Sequence, residues 1–411
     1  LVYGLCRKPA INVVNLGDRK NLTVDNRIIK NSLVTLGLEL LLSLPLGFAF
    51  GKIFPIGGIA WIFGGIAAGA LTIYTSRFTK WDIKPHPIAR KIGQALVGTT
   101  IGFSIAKGNL EAVYSELPTF LFLTLFIMIT GVFIGWFFSK VTRTNIFTSM
   151  LATTPGGVGI MSSFAAEYNK DVSLVSLVQV IRVTSVVIII PIIARSVANS
   201  NGTSVSSLMR NLLPTDSLSL LLLVILLTCT FLVVQLAKKW QIPTPFFFGA
   251  LVVGTTFSYF LNTAPFLPEI SYTPPYIVNL VGQALLGISI GESWGNNPKI
   301  KKRTIFYALI PVSLTIVAGF MAAGFAMLFT PWDWLTCMLV TAPGGAAEMI
   351  LVALSLNHDV EIVTAGHLMR LIALNVSLPL WLMFFRYLDN KLTTNKAVVR
   401  GLMDDQYSQR V

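Results

Sequence analysis

Two Pro-Gly-Gly tripeptides, Pro155-Gly156-Gly157 and Pro343-Gly344-Gly345, interrupt otherwise apolar stretches of this 411-residue chain. Proline removes a backbone donor and glycine disfavours helix, so each tripeptide breaks any helix that contains it. Around the first, the arms NIFTSMLATT and VGIMSSFAAEY hold about ten residues each, and at ~1.5 Å per residue each reaches about 15 Å. That is half of a hydrocarbon core of about 30 Å, which places the tip near the bilayer midplane. A glycine-rich backbone there offers amide N–H groups at a half-helix N-terminus, a ready site for an anion. Irregular backbone at that depth is tolerated only when it is buried in protein or lines a cavity. A packing kink would account for one such break. Two of them, beside Thr153, Thr154, Gly159, Thr341 and Glu348, point to a binding site.

Gln179 and Arg182 are three residues apart in one apolar stretch, as are His367 and Arg370 in another, so each pair projects from one helical face. Both arginines fall near the middle of their stretches, where an ionised side chain costs about 2.5 kcal/mol or more and must face a polar interior with a partner. Two readings follow. Either the arginines, with the tip amides, hold a carboxylate or other small anion, or they pin tip carbonyls or pair with an acid. Glu39, Glu292 and Glu348 are the intramembrane acids. Glu348, His367 and Glu292 are candidates for coupling to a proton or sodium ion, with salt bridges to the arginines as the alternative for Glu348 and His367. Glu39 has no equivalent in the second half and receives no role.

These groups need membrane helices to position them. The chain is 54% hydrophobic and 12% charged, about half the charge of a soluble domain, and its mean hydropathy is +0.72. This is the composition of a polytopic membrane protein, and it excludes a disulfide scaffold, a disordered chain and a basic nucleic-acid-binding domain. Stretches long enough to span, about 20 residues each, occur at 32–51, 56–74, 88–106, 118–138, 171–194, 218–237, 245–262, 275–294, 304–330 and 359–385. The first thirty residues carry six basic residues and no long apolar core, so neither a signal nor a span is expected there. If both Pro-Gly-Gly segments crossed the membrane, 20 basic residues would lie inside and 9 outside; if both turn back, 25 lie inside and 4 outside. The positive-inside bias favours ten spans with two re-entrant hairpins and both termini cytoplasmic.

The two halves repeat one design. GQALVGTTIGFS at 93–104 recurs as GQALLGISIGES at 282–293, and Pro155, Asn169, Asp171, Arg182 and Pro191 recur as Pro343, Asn357, Asp359, Arg370 and Pro379. Five spans per half, an odd number, would invert the second half relative to the first, as in many secondary transporters. Gly98-x3-Gly102 and Gly287-x3-Gly291 read as close helix contacts, with Gln94 and Gln283 one turn earlier, and Asn169/Asp171 and Asn357/Asp359 read as helix N-caps. Cys6, Cys229 and Cys337 are isolated and only three histidines exist, so neither a disulfide framework nor a multi-histidine metal centre is expected. No GxSxG, HExxH, Walker A or Rossmann fingerprint stands in a suitable setting, so no enzyme and no cofactor is expected.

The segments TTPGGVGIM and TAPGGAAEMILVALSLNHDVEIVTAGHLMRL, in a duplicated apolar chain, resemble the AbrB-like integral membrane family from about residue 32 to 385. That family carries the labels ammonia monooxygenase and transcriptional regulator, which imply an enzyme or control of gene expression. Hairpins with Gly-Gly-x-Gly tips are also similar to those of 2-hydroxycarboxylate and glutamate transporters in the cation/proton antiporter-like superfamily. Gly156-Gly157-Val158-Gly159 fits that tip, whereas Gly344-Gly345-Ala346-Ala347 ends in Ala. The expectation is an all-α bacterial inner-membrane protein with a cytoplasmic segment 1–31, repeats 32–195 and 218–385, a linker 196–217 and a cytoplasmic tail 386–411. It would act as a homodimeric secondary transporter of a small, anionic solute, without nucleic-acid partners. The alternative is a membrane sensor linked to regulation of gene expression.

Overall fold

The computed structural model describes residues 19–53, 57–79, 86–106, 108, 110–197, 212, 216–263, 272–296, 302–356 and 358–408. Among these residues every regular element is helical. The first half contributes α1 (Arg19–Ile53), α2 (Ala60–Thr79), α3 (Pro87–Ile105), the short α4 (Leu110–Ser115), α5 (Leu117–Thr142), α6 (Ile146–Thr153), α7 (Val158–Glu167) and α8 (Val172–Val197). The second contributes α9 (Ser217–Lys239), α10 (Pro245–Thr263), α11 (Tyr276–Ser293), α12 (Lys302–Phe329), α13 (Trp334–Thr341), α14 (Ala346–Leu356) and α15 (Val360–Ser408). The expected breaks are present: α6 gives way to α7 at Thr154–Gly157, and α13 to α14 at Ala342–Gly345.

Seven helical stretches among the described residues are long and apolar enough to cross a membrane: Leu33–Ile53, Leu117–Thr142, Val172–Ser196, Ser217–Lys239, Pro245–Thr263, Arg303–Phe329 and Val360–Lys391. The protein is a polytopic membrane protein. Three of the ten expected spans, in α2, α3 and α11, fall short of that standard by length or polarity. The physical reason is their surroundings. A helix wrapped by other helices does not need a fully apolar surface, and these three form the packed centre of one layer.

That centre is built on glycine. A Cβ at Gly98 or Gly102 of α3 would strike the backbone of α10 at Phe247 and Leu251, and one at Gly287 or Gly291 of α11 would strike α2 at Ile62 and Ile66. Each repeated GxxxG thus packs against a helix of the opposite half, and the absent side chains let backbones touch. Trp61 Nε1 adds a cross-half hydrogen bond to Tyr276 Oη at 2.9 Å. A second layer holds α5–α8 and α12–α15, whose shared core includes Phe120, Val186, Met338, Ile350 and Val363. Cys337 is buried and Cys229 half-buried, both as free thiols, while Cys6 lies outside the described residues.

Helix boundaries exceed the apolar stretches at both ends. α1 begins at Arg19, inside the expected N-terminal segment, and α15 continues to Ser408, through most of the expected tail. Hydrophobic length sets where a helix can sit in a bilayer, whereas backbone hydrogen bonding continues into water wherever propensity allows. Most of the expected linker lies outside the described residues.

Candidate functional site

Two broken-helix pairs and the two arginine helices beside them form one arrangement, made twice. α6 is capped by Asn145, whose side chain accepts from Thr148 N at 3.2 Å, and α13 by Asp333, which accepts from Thr336 N at 3.0 Å. Thr153 Oγ1 donates to Gly131 O at 2.8 Å, and Thr341 Oγ1 to Gly319 O at 3.0 Å. These bonds tie each tip to the long helix before it, α5 or α12.

The arginine helices then bind the exposed carbonyls of the breaks. Arg182 donates from Nη1 to Thr153 O and Thr154 O at 3.3 and 3.4 Å and from Nη2 to Gln179 Oε1 at 2.7 Å. Arg370 donates to Ala342 O at 2.7 Å and Gly344 O at 3.2 Å. It also donates to His367 Nδ1 at 2.6 Å. Since a guanidinium can only donate, His367 Nδ1 is the acceptor and Nε2 carries the ring proton, which reaches Leu339 O at 3.0 Å. Gln179 does the same with an amide: Oε1 accepts from Arg182, and Nε2 donates to Leu151 O at 3.0 Å and Thr154 O at 2.9 Å. An amide and a neutral imidazole therefore do one job in the two halves, and both ring nitrogens of His367 are engaged.

Of the two readings of the arginines, the pinning of tip carbonyls is what the hydrogen bonds describe. Neither guanidinium pairs with an acid among the described residues. Arg182 Nε is buried without a hydrogen-bond partner, and Arg182 and Arg370 are only 3% and 6% exposed.

The tips themselves differ. At the first, Gly157 adopts φ +82°, and a Cβ at Gly157 or Gly159 would meet nothing within 4 Å; Gly159 and Ile160 are exposed. At the second, Glu348 is buried in the first turn of α14, and a Cβ at Gly345 would strike its carboxylate. Pro155 and Pro343 are buried and Gly156 and Gly344 half-buried; Gly156 lies against Met161, Gly344 against Val186 and Met349.

The far ends of each pair come together. Asn145 Nδ2, before α6, and Lys170 Nζ, after α7, both reach the Asp389 carboxylate, at 2.7 and 2.8 Å. Asp333, before α13, approaches His358, after α14, at 3.4 Å, and Thr336 Oγ1 donates to Asp359 Oδ2 at 3.2 Å. Asp171 caps α8 by accepting from Leu174 N at 2.9 Å, while Asn169 takes a left-handed turn at φ 51°. Asn357 lies outside the described residues.

A family model described as "Transition state regulatory protein AbrB" matches residues 61–386. The chain belongs to the AbrB family. A Bacillus subtilis (strain 168) relative named "Uncharacterized protein YhjN" is 25% identical over 325 residues, 75% of this chain and 82% of its own length. An Escherichia coli (strain K12) relative named "Putative regulator AbrB" is 23% identical over 305 residues, 70% of this chain and 79% of its own. The matched AbrB region contains both tips and both arginines.

Glu292 is placed elsewhere, at the end of α11, where His86 donates to it from backbone N at 2.8 Å and shares a 2.6 Å contact through Nδ1. Glu39 is its neighbour. His86 carried no signal in the sequence, since nothing in residue spacing joins positions 39, 86 and 292. Gly131 and Gly319 were findable: they share the 188-residue offset of the tips they hold.

Proposed function

We propose that this AbrB-family membrane protein is a secondary transporter of a small anionic solute. The observation that carries the reading is the pair of buried guanidiniums without an acid partner among the described residues, one of them with its Nε unbonded, set beside a broken-helix tip whose amide end is open. Positive charge so deep in a membrane protein is costly unless it serves a site. Arg182 and Arg370 act mainly by holding the two tips and by supplying charge; the amides at the start of α7 and the unpaired Arg182 Nε are the donors left for a ligand. The anion site thus belongs to the first tip, and Glu348 supplies a built-in carboxylate at the second.

The meeting of the far ends of each pair, at Asp389 and at Asp333–His358, supports α6–α7 and α13–α14 as re-entrant hairpins. With five spans per half, the repeats would be inverted, and the glycine-packed layer of α2, α3, α10 and α11 would be the scaffold past which the tips move. A homodimer through the scaffold helices, cytoplasmic termini and an inner-membrane location complete this reading, which involves no catalysis.

Flux tests it. Purified protein in proteoliposomes, offered a panel of labelled small mono- and dicarboxylates, should accumulate at least one, and Ile160→Glu should abolish that uptake. Binding without flux would favour the reading that the relatives' regulator name suggests, a membrane sensor. A single cysteine at Asn169, with Cys6, Cys229 and Cys337 replaced, should resist a membrane-impermeant thiol reagent outside intact cells and react after permeabilisation. Labelling from outside would overturn the re-entrant topology.

A further inference from the structure

A second polar centre lies in the glycine-packed layer, away from the tips. Glu39 from α1, His86 at the start of α3 and Glu292 near the end of α11 bring their side-chain donor atoms within 4.8 Å of one another. Glu39 and Glu292 are fully buried and His86 is 6% exposed. Glu292 is well provided for: one oxygen accepts from His86 N at 2.8 Å and the other from Nδ1 at 2.6 Å. Thr35 Oγ1 lies 3.3 Å from Nε2 on the other side of the ring. Glu39 is not. Both of its carboxylate oxygens are buried and accept no hydrogen bond, and they face the carboxylate of Glu292.

Two carboxylates cannot both remain ionised at such separation in a low-dielectric interior, so a cation must join them. The geometry distinguishes the kind of cation. Two ligands of one tetrahedral zinc stand about 3.3 Å apart, given bonds of roughly 2.0–2.1 Å. His86 Nδ1 and Glu292 Oε1, at 2.6 Å, are too close for joint ligation and are at hydrogen-bond distance. We propose that Glu39, Glu292 and His86 form a proton-binding site, in which one exchangeable proton is carried by Glu39 and shared with Glu292, while His86 holds the Glu292 carboxylate in place.

Among the described residues, the titratable groups facing Glu39 are Glu292 from α11 and His86 from α3; α2 brings the uncharged Thr72. Only an O–H bond forms or breaks, and the proton exchanges with water. The cluster joins α1 and α3 of the first half to α11 of the second, so loss of the proton sets two like charges between halves. That this proton drives solute movement rests on the transporter reading; that the site binds one does not.

Infrared titration of purified protein in lipid nanodiscs, in H2O and D2O, tests the assignment without a solute. A carbonyl band of a protonated carboxylic acid should be present, shift in D2O, and disappear as the pH is raised. Glu39→Gln should remove that band, and Glu292→Gln should move its titration. Glu39→Gln is isosteric with the neutral acid and should keep the wild-type elution profile and thermal midpoint; Glu39→Asp, which keeps an acid, covers the case in which it does not fold and should retain a shifted band. An unchanged titration in Glu39→Gln, or no protonated acid in the wild type, would overturn the proposal. So would tight binding of one equivalent of Zn2+ that Glu39→Gln abolishes. A band that behaves as expected in a protein without solute flux would keep the proton site and remove the transporter reading.

Discussion

The two broken-helix tips share a frame and differ in what stands at the start of the returning helix. Hydroxyl ties to Gly131 and Gly319, the arginine bonds to Thr154 O and Ala342 O, and the polar caps at Asn145 and Asp333 recur at an offset of 188 residues. At that offset Ile160 corresponds to Glu348. The isoleucine is exposed and leaves the amide end of α7 open; the glutamate is buried and presents a carboxylate at the start of α14. The helices behave accordingly. In α7 only Met161 and Ala165 are buried, whereas α14 buries eight of its eleven residues. The tip-holding contacts are thus shared by the two halves, while the amide end of the returning helix is open at the first tip and closed by a carboxylate at the second.

Removing the arginines gives the largest effect and tests how far the frames are equal. Arg370 binds its carbonyls at 2.7 and 3.2 Å, Arg182 at 3.3 and 3.4 Å. Losing a buried charged donor strands its acceptors, at about 1–3 kcal/mol for each group left unsatisfied. Arg370→Ala should therefore lower the thermal midpoint in detergent more than Arg182→Ala, and solute uptake should be lost in both. Equal destabilisation would mean that the closer geometry of the second tip has no energetic counterpart.

Exchanging the residues that distinguish the tips comes next. Ile160→Glu places a carboxylate where Glu348 stands in the other half. An acid in the first turn of a helix contributes about 0.3–1 kcal/mol to stability, so the variant should be as stable as the wild type or slightly more so, yet bind solute at least tenfold more weakly. Retained binding, measured by calorimetry with the transported solute, would break the assignment of the anion site to the first tip.

The sequence carries the frame better than the difference. Pro-Gly-Gly, the paired Gln179/Arg182 and His367/Arg370, and the GxxxG seams all lie where spacing and duplication place them, because they act through local backbone breaks, helical faces and close helix approach. Three packed helices fell below the span standard because burial by protein replaces burial by lipid, which hydropathy cannot distinguish. Glu39 and His86 were illegible for another reason. Their partnership spans α1, α3 and α11, and no period or repeat connects positions that only tertiary packing joins. Spacing places the arginines on the right helical faces but leaves open whether they bind tip carbonyls or an anion, because tertiary packing sets which acceptors their donors meet.

Glycine substitutions separate two reasons for one residue type. Gly157 is needed for its positive-φ backbone, since its φ is +82° and its Cβ position is empty. With ψ 147° that backbone lies in an extended positive-φ region open essentially to glycine alone, so Gly157→Ala should cost about 1–3 kcal/mol through strain, whatever its neighbours. Gly345 has no such φ among the positive-φ residues and is needed because Glu348 lies over it. Gly345→Ala should destabilise the wild type and be largely rescued by Glu348→Ala, with the same double change at Gly157 and Ile160 giving no rescue. A double-mutant cycle on thermal stability reads this coupling, and additivity at the second tip would detach Glu348 from Gly345.

The smallest effects belong to the shared hydroxyl ties. Thr153→Val and Thr341→Val each remove a buried donor to a glycine carbonyl, at 2.8 and 3.0 Å, and each hydroxyl also bonds its own helix one turn back, to Ser149 O or Cys337 O. The expected loss is about 1 kcal/mol apiece, close to equal in the two halves, and visible as matched shifts in thermal midpoint. Threonine at these positions serves tip placement in both copies, so equality is what a common frame requires. A much larger loss of uptake than of stability in Thr153→Val alone would instead draw that hydroxyl into the solute site at the open tip.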